Sequence, residues 1–222
     1  MRIGVTIFPG SNCDHDALFA IERAGASPVE LWHAESDLKG VDAVIVPGGF
    51  SYGDYLRPGA IARFSKLMGP LEEFAKSGGP VLGVCNGFQV LTEAHLLPGA
   101  LLRNTGMRFV CGRVPARVET VETPWTSLFE LGDEILLPVA HNEGNYFADP
   151  RTLAELEDEG RVVLRYLENP NGSIRGIAGI CNAARNIVGL MPHPERVSDE
   201  MLGSNEGLKV FKSVLSYAGA KV

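Results

Sequence analysis

Val81-Leu82-Gly83-Val84-Cys85-Asn86-Gly87-Phe88-Gln89-Val90-Leu91 changes periodicity within one residue. Up to Val84 the run is apolar and rich in valine, as in a strand covered on both faces. From Asn86 onward apolar residues recur at helical spacing, which predicts a helix over residues 86–94. A two-faced apolar strand feeding straight into a helix is the building unit of a parallel α/β sheet.

The surrounding sequence repeats that unit. Residues 2–8 form a β-rich run ended by Pro9-Gly10, and a helix over about residues 14–24 follows. Ser11 or Asn12 is its expected cap, and Gly25 stops it. Residues 29–32 and 43–46 read as the next strands, the second cut by Pro47-Gly48-Gly49. Residues 61–75 read as helical with a break at Gly69-Pro70. Farther on the pattern changes. Residues 109–122 alternate apolar and polar, with Pro115 and Pro124 as breaks. Residues 135–140, 161–167, 174–180 and 186–191 are also β-like, and residues 206–217 close the chain as a helix. The prediction is one α/β domain over residues 1–222. It is an open, mostly parallel sheet with helices on both faces and antiparallel edge strands added.

Composition narrows the function. Twenty basic against 27 acidic residues give a net charge of −7, which repels phosphate backbones and argues against nucleic acid. The apolar run after Arg2 is too short for a secretory signal, and no stretch reaches the roughly 18–20 apolar residues of a membrane span. A cytoplasmic protein with no membrane partner is expected. The four cysteines are scattered and read as free thiols. Cys13 and His15 are two apart, but nothing nearby completes a ligand set, so no metal is expected.

Sites in open α/β sheets form at the carboxyl ends of strands, and three such ends carry unusual residues. Gly83-Val84-Cys85-Asn86-Gly87 matches a nucleophile elbow with cysteine as nucleophile. Small residues two before and two after let the chain turn tightly, and the helix start favours the thiolate. A buried core cysteine beside a chance glycine pair is the alternative. His193 lies between Pro192 and Pro194, which hold the backbone extended, and Glu195 can return to the same side as orienter of a base. A merely packed histidine is the alternative there. Gly48-Gly49 lets backbone N–H groups approach a developing oxyanion, or is a plain turn. No G-x-x-x-x-G-K-[ST] run is present, so a nucleotide cradle lacks support.

Taken in order, G-x-C-x-G-x-Q over residues 83–89, Gly48-Gly49, and His193-Pro194-Glu195 resemble the class I, or triad, glutamine amidotransferases. That resemblance implies a flavodoxin-like sheet and L-glutamine as substrate. It makes Cys85 the nucleophile, His193 the base and acid, and Glu195 the orienter. The backbone N–H groups of Gly49 and Asn86 become the oxyanion hole. Gln89 and Gly48 contact glutamine, and His141 and Tyr146 border the site.

Finer motifs narrow the resemblance to one branch: residues 8–14 (FPGSNCD), 47–54 (PGGFSYGD), 85–89 (CNGFQ) and 141–146 (HNEGNY). These resemble glutaminase subunits of the synthase that makes formylglycinamidine ribonucleotide in de novo purine synthesis. The implied partners are a large synthase subunit, carrying ATP and Mg, and a small assembly subunit. No cofactor is implied for this chain. Asn142 departs from the glycine expected there. A stand-alone Cys-His-Glu hydrolase, such as a peptidase or γ-glutamyl hydrolase, and a non-catalytic flavodoxin-like binding module remain the competing readings.

Overall fold

The computed structural model describes residues 1–219. Eleven strands and five α-helices follow one another in it. They are β1 (Arg2–Ile7), α1 (Asp14–Ala24), β2 (Ser27–Trp32), β3 (Ala43–Val46), α2 (Met68–Lys76), β4 (Val81–Val84), α3 (Asn86–Glu93), β5 (Ala100–Leu102), β6 (Val110–Val118), β7 (Glu134–His141), β8 (Asn145–Phe147), α4 (Pro150–Asp158), β9 (Val162–Tyr166), β10 (Ile177–Cys181), β11 (Ile187–Leu190) and α5 (Leu208–Gly219).

Nine strands make one sheet in the order β2-β1-β3-β4-β11-β10-β9-β6-β7. The first five run parallel. Every residue of β3, β4 and β11 is buried, because helices cover both faces. The chain leaves β1 toward β2 and then returns to β3 on the other side. Right-handed crossovers therefore set α1 on one face and α2 and α3 on the other. That reversal is a flavodoxin-type switch point, with the carboxyl ends of β1, β3, β4 and β11 along one edge. β10, β9, β6 and β7 extend the sheet antiparallel, while β5 and β8 form a separate two-stranded ribbon.

Local differences from the sequence reading have identifiable causes. The cap position of α1 is Cys13, and no side chain caps it. Ser11 instead accepts the Phe8 N–H at 3.2 Å, and Asp14 and Asp16 complement the helix dipole. Gly69-Pro70 does not break α2, because Pro70 lies in the first turn, where its missing N–H would have no helical partner. The interruption falls earlier, between a 3₁₀ turn at Ala62–Phe64 and Met68. β6 runs through Pro115. The Pro115 carbonyl accepts from Leu167 N at 3.0 Å, so its nitrogen faces the end of β9, where the ladder stops. Ile174–Gly176 is a 3₁₀ turn rather than strand, with Arg175 at φ +53°.

Candidate active site

β4 leads directly into Cys85, whose φ of +48° and ψ of −104° lie outside the regions an L-residue prefers. Two glycines make that conformation possible. A Cβ on Gly87 would collide with the Val46 carbonyl, and one on Gly83 would sit 2.7 Å from the Gly87 oxygen. Neighbouring bonds hold the turn: Cys85 N donates to Leu190 O at 2.8 Å, and Gln89 N donates to Cys85 O at 3.1 Å. The sulfur lies 3.8 Å from the Ala140 carbonyl. It stands at the start of α3, where the first N–H groups have no intrahelical acceptor.

His193 follows β11, and its backbone N–H donates to Pro138 O at 2.8 Å, which fixes the extended segment to β7. Glu195 is the second residue of the adjoining 3₁₀ turn Pro194–Val197, and its Oε1 lies 2.5 Å from His193 Nδ1. The pair is almost fully buried. Burial opposes an imidazolium, but the Glu195 charge and the Cys85 and Cys13 sulfurs outweigh it and hold His193 well above its ordinary pKa. With Nδ1 engaged, Nε2 is the nitrogen left for proton transfer.

The Gly48-Gly49 segment runs beside residues 10–13. Cys13 N donates to Gly48 O at 3.3 Å, and Phe50 N donates to Gly10 O at 3.0 Å. Successive extended residues alternate sides, so the Gly49 N–H turns away from that neighbour. Gly49 adopts φ +139°, and a Cβ there would approach Asn12 N to 2.7 Å. Gly48 packs against the imidazole, with its own Cβ position 2.7 Å from His193 Cε1.

Cys85, His193 and Gly49 line one cavity of about 200 Å³, together with Cys13, Phe50 and Arg196. A larger depression of about 570 Å³ beneath Met1, Asp42 and Pro80 has no cysteine, serine or histidine in its wall. The other site residues expected from sequence stand back from the cavity. Gln89 Oε1 accepts from Asn86 Nδ2 at 2.9 Å, and its Nε2 donates to Glu143 O at 2.7 Å. Asn86 Oδ1 accepts the Ser51 N–H at 3.1 Å, tying the elbow to the loop after β3. Tyr146 stacks on Phe88 and donates its hydroxyl to Pro98 O at 3.0 Å. Asn142 has no positive φ, so its backbone has no need of glycine.

His141 is buried, with Nε2 3.4 Å from Asn171 Nδ2. Burial, and then the charge on His193, push its pKa down to about 4. The unfolded chain takes up this proton near 6.5 while the folded chain resists it until about 4. Stability from His141 is therefore full above 6.5 and is lost as pH falls through that window, by about 3 kcal/mol in total. Asp54 works oppositely, because burial and then Glu143 raise it to about 6. Denaturant melts at pH 7 and pH 4.5 should show wild type losing more stability than His141→Gln. Equal losses would show that His141 does not govern the acid limb.

Sequence reasoning missed two residues here. Cys13, read beside His15 and within the motif of residues 8–14 but given no role, faces His193 and Glu195. Arg196 Nη2 donates to Cys13 Sγ at 3.0 Å and its Nε lies 3.5 Å from Asp16. The position of Arg196, directly after His193-Pro194-Glu195, was the available signal.

The chain belongs to the glutamine amidotransferase family: residues 1–217 match the CobB/CobQ-like glutamine amidotransferase domain. Within that class it is 75% identical over 222 residues, the whole of both chains, to phosphoribosylformylglycinamidine synthase subunit PurQ of Rubrobacter xylanophilus. It is 59% identical over 217 residues to the subunit of the same name from Frankia casuarinae, covering 97% of this chain and 93% of that one. A chain in the structure of PurLQS from Thermotoga maritima superposes with a TM-score of 0.91 at 44% identity, covering 98% of each chain. Among the described residues no helix is long and apolar enough to cross a membrane.

Proposed function

We propose that this chain is the glutaminase subunit of a phosphoribosylformylglycinamidine synthase. It hydrolyses L-glutamine and passes the ammonia to a partner. The observation that carries the reading is the convergence of Cys85, the Glu195-held His193 and Gly49 on one cavity. Residues 1–222 act as one catalytic domain.

The side-chain amide of glutamine is a weak electrophile, and its nitrogen leaves poorly. The Cys85 thiolate adds to the amide carbon, and the N–H groups of Gly49 and Asn86 stabilise the oxyanion that forms. His193, charged by the proton from Cys85, gives that proton to the departing nitrogen, which leaves as ammonia. A thioester remains on Cys85. Water, deprotonated at His193 Nε2, adds to it and releases glutamate and the thiol. Glu195 holds the ring through Nδ1 and stabilises its charged form. Gln89 acts on the substrate by fixing the Asn86 side chain and the Glu143 backbone behind the cavity, and Gly48 supports the imidazole. His141 and Tyr146 stiffen the wall behind.

Free ammonia is protonated in water, so delivery through protein to the synthase keeps it nucleophilic. This chain has no phosphate-cradling motif, and ATP and Mg belong to the large subunit. The relatives' subunit name and the PurLQS complex support PurL and PurS as the partners, and we assign them the synthase and small assembly roles. Four free thiols suit a cytoplasmic setting.

A glutamine-shaped chloroketone tests the nucleophile. In the assembled complex, peptide mass spectrometry should find one adduct, on Cys85. Cys181 is held protonated by burial, which raises its pKa to about 11, and exposed Cys111 lies outside the cavity that holds Cys85 and His193. Labelling at Cys13, Cys111 or Cys181 in place of Cys85 would refute the elbow assignment. No labelling at all would favour a binding module, and full turnover without partners would favour a stand-alone hydrolase.

A further inference from the structure

Cys13 has no task in the triad, yet it is buried and lines the same cavity as Cys85. Its sulfur, one ring nitrogen of His193 and one carboxylate oxygen of Glu195 lie within 4.8 Å of one another. Glu195 Oε2 is buried without a hydrogen-bond partner. Orphaned polar atoms of that kind are rare, and each calls for an explanation. Gly48 lets the donors converge, since a Cβ there would lie 2.7 Å from His193 Cε1 and 3.2 Å from Cys13 Sγ.

We propose that Cys13, His193 and Glu195 form an inhibitory site for Zn²⁺. A thiolate, an imidazole and a carboxylate are the donor types zinc selects, and a tetrahedral shell sets donors about 3.5 Å apart. The Cys13 sulfur needs to close by little more than about 1 Å, and the Nδ1–carboxylate pair to open from 2.5 Å, to form one. The fourth position opens to the cavity and takes water. Zinc binds the thiolate and the Nδ1 lone pair, so any proton on Cys13 and the Nδ1 proton that His193 shares with Glu195 are both released to solvent as the ion enters. Mg²⁺ demands oxygen ligands in octahedral array and is excluded. Arg196, now 3.0 Å from Cys13 Sγ, opposes a cation there. Its side chain is one-third exposed and 3.5 Å from Asp16 Oδ2, to which it withdraws. Once bound, zinc removes the imidazole from proton transfer. Inhibition therefore rests on reading His193 as the base, whereas binding does not.

The full chain carrying Cys111→Ser, which removes the exposed thiol, is titrated with Zn²⁺ in competition with a chromophoric chelator. The same titration is run with Cys13→Ala, Cys13→Ser or Cys85→Ala added. One zinc per chain is expected, with affinity at least tenfold weaker in either Cys13 variant and retained in Cys85→Ala. Co²⁺ in place of Zn²⁺ should give a thiolate charge-transfer band that disappears with Cys13 and survives loss of Cys85. Circular dichroism separates a lost ligand from a lost fold, and the serine variant carries the comparison if the alanine variant does not fold. In the assembled synthase, zinc should suppress glutamine-dependent turnover at least tenfold. Equal zinc binding without Cys13, or binding lost only with Cys85, overturns the ligand set. Failure of the catalytic reading looks different: zinc binds through Cys13, yet full occupancy leaves glutamine turnover intact, which overturns the inhibition.

Discussion

A synthase reconstituted with Cys85→Ala is expected to lose glutamine-dependent formation of formylglycinamidine ribonucleotide by at least about 10⁴-fold, equivalent to more than about 5 kcal/mol of barrier. The substitution removes only a sulfur. Cys85 is 6% exposed, so the outer surface should be unchanged. The elbow's φ of +48° is as unfavourable for alanine as for cysteine, so the bonds from Cys85 N to Leu190 and from Gln89 N to Cys85 must still hold the turn. A second nitrogen source makes the result interpretable. Ammonium salt at alkaline pH supplies uncharged ammonia directly to the synthase, and product formation from it should stay close to wild type. The reaction of this chain and the ATP-dependent step would then be separable, as the proposal requires. Full glutamine-dependent activity in the variant would end the case for Cys85 as nucleophile. Loss with both nitrogen sources, in a complex shown to be assembled, would assign Cys85 to coupling or structure. A stand-alone hydrolase would show no rescue.

The elements that build the elbow were legible because their signals are local. Residues 14–24 and 43–46 each carry a complete pattern of apolar spacing and a glycine or proline stop, residues 86–94 carry the helical spacing directly after a strand, and the structure places α1, β3 and α3 on them. Other elements lacked such patterns. α4 buries only Leu153 and Leu156, too few apolar positions to reveal a helical period. Its start was readable all the same, since Asp149 caps Arg151 N and Thr152 N and is followed by Pro150. β5 and β8 are three residues each, and only their mutual pairing distinguishes them from loop. The site divides in the same way. Gly83, Cys85 and Gly87 announce a turn within five residues, and His193 and Glu195 adjoin. Cys13 and Arg196 are 183 positions apart, so their contact depends on β1 and β11 ending at the same sheet edge. Gly48 shows the limit of motif reading, because its neighbour in space is an imidazole supplied by a loop far along the chain.

Glu195→Gln should separate orientation from bond making. The carboxylate accepts the Nδ1–H of His193 at 2.5 Å, which leaves Nε2 as the acceptor that must take a proton. A carboxamide keeps the size and the burial but has two faces. If it presents its NH₂ group, Nδ1 becomes the acceptor and Nε2 carries the hydrogen, so the ring cannot act as base. If it presents its oxygen, the tautomer survives but the negative charge that stabilises imidazolium is gone. Either way the step that suffers is proton transfer. In serine hydrolases, removing the orienter costs about two powers of ten less than removing the nucleophile. We therefore expect kcat for glutamine to fall about 10²- to 10³-fold, with KM changed less than about threefold, because Glu195 is 2% exposed and outside the cavity lining. Steady-state kinetics on the assembled complex supply both constants, and ammonium-dependent turnover serves as the control for assembly. A thioester chase adds a readout that a structural role would not move: hydrolysis of the acyl-enzyme should slow along with its formation, since both pass a proton through His193. A variant that binds glutamine poorly but turns it over at the wild-type rate would show that Glu195 shapes the pocket and does not hold the base. Damage equal to that of Cys85→Ala, in a protein that melts at the wild-type temperature, would place the carboxylate in the chemistry itself.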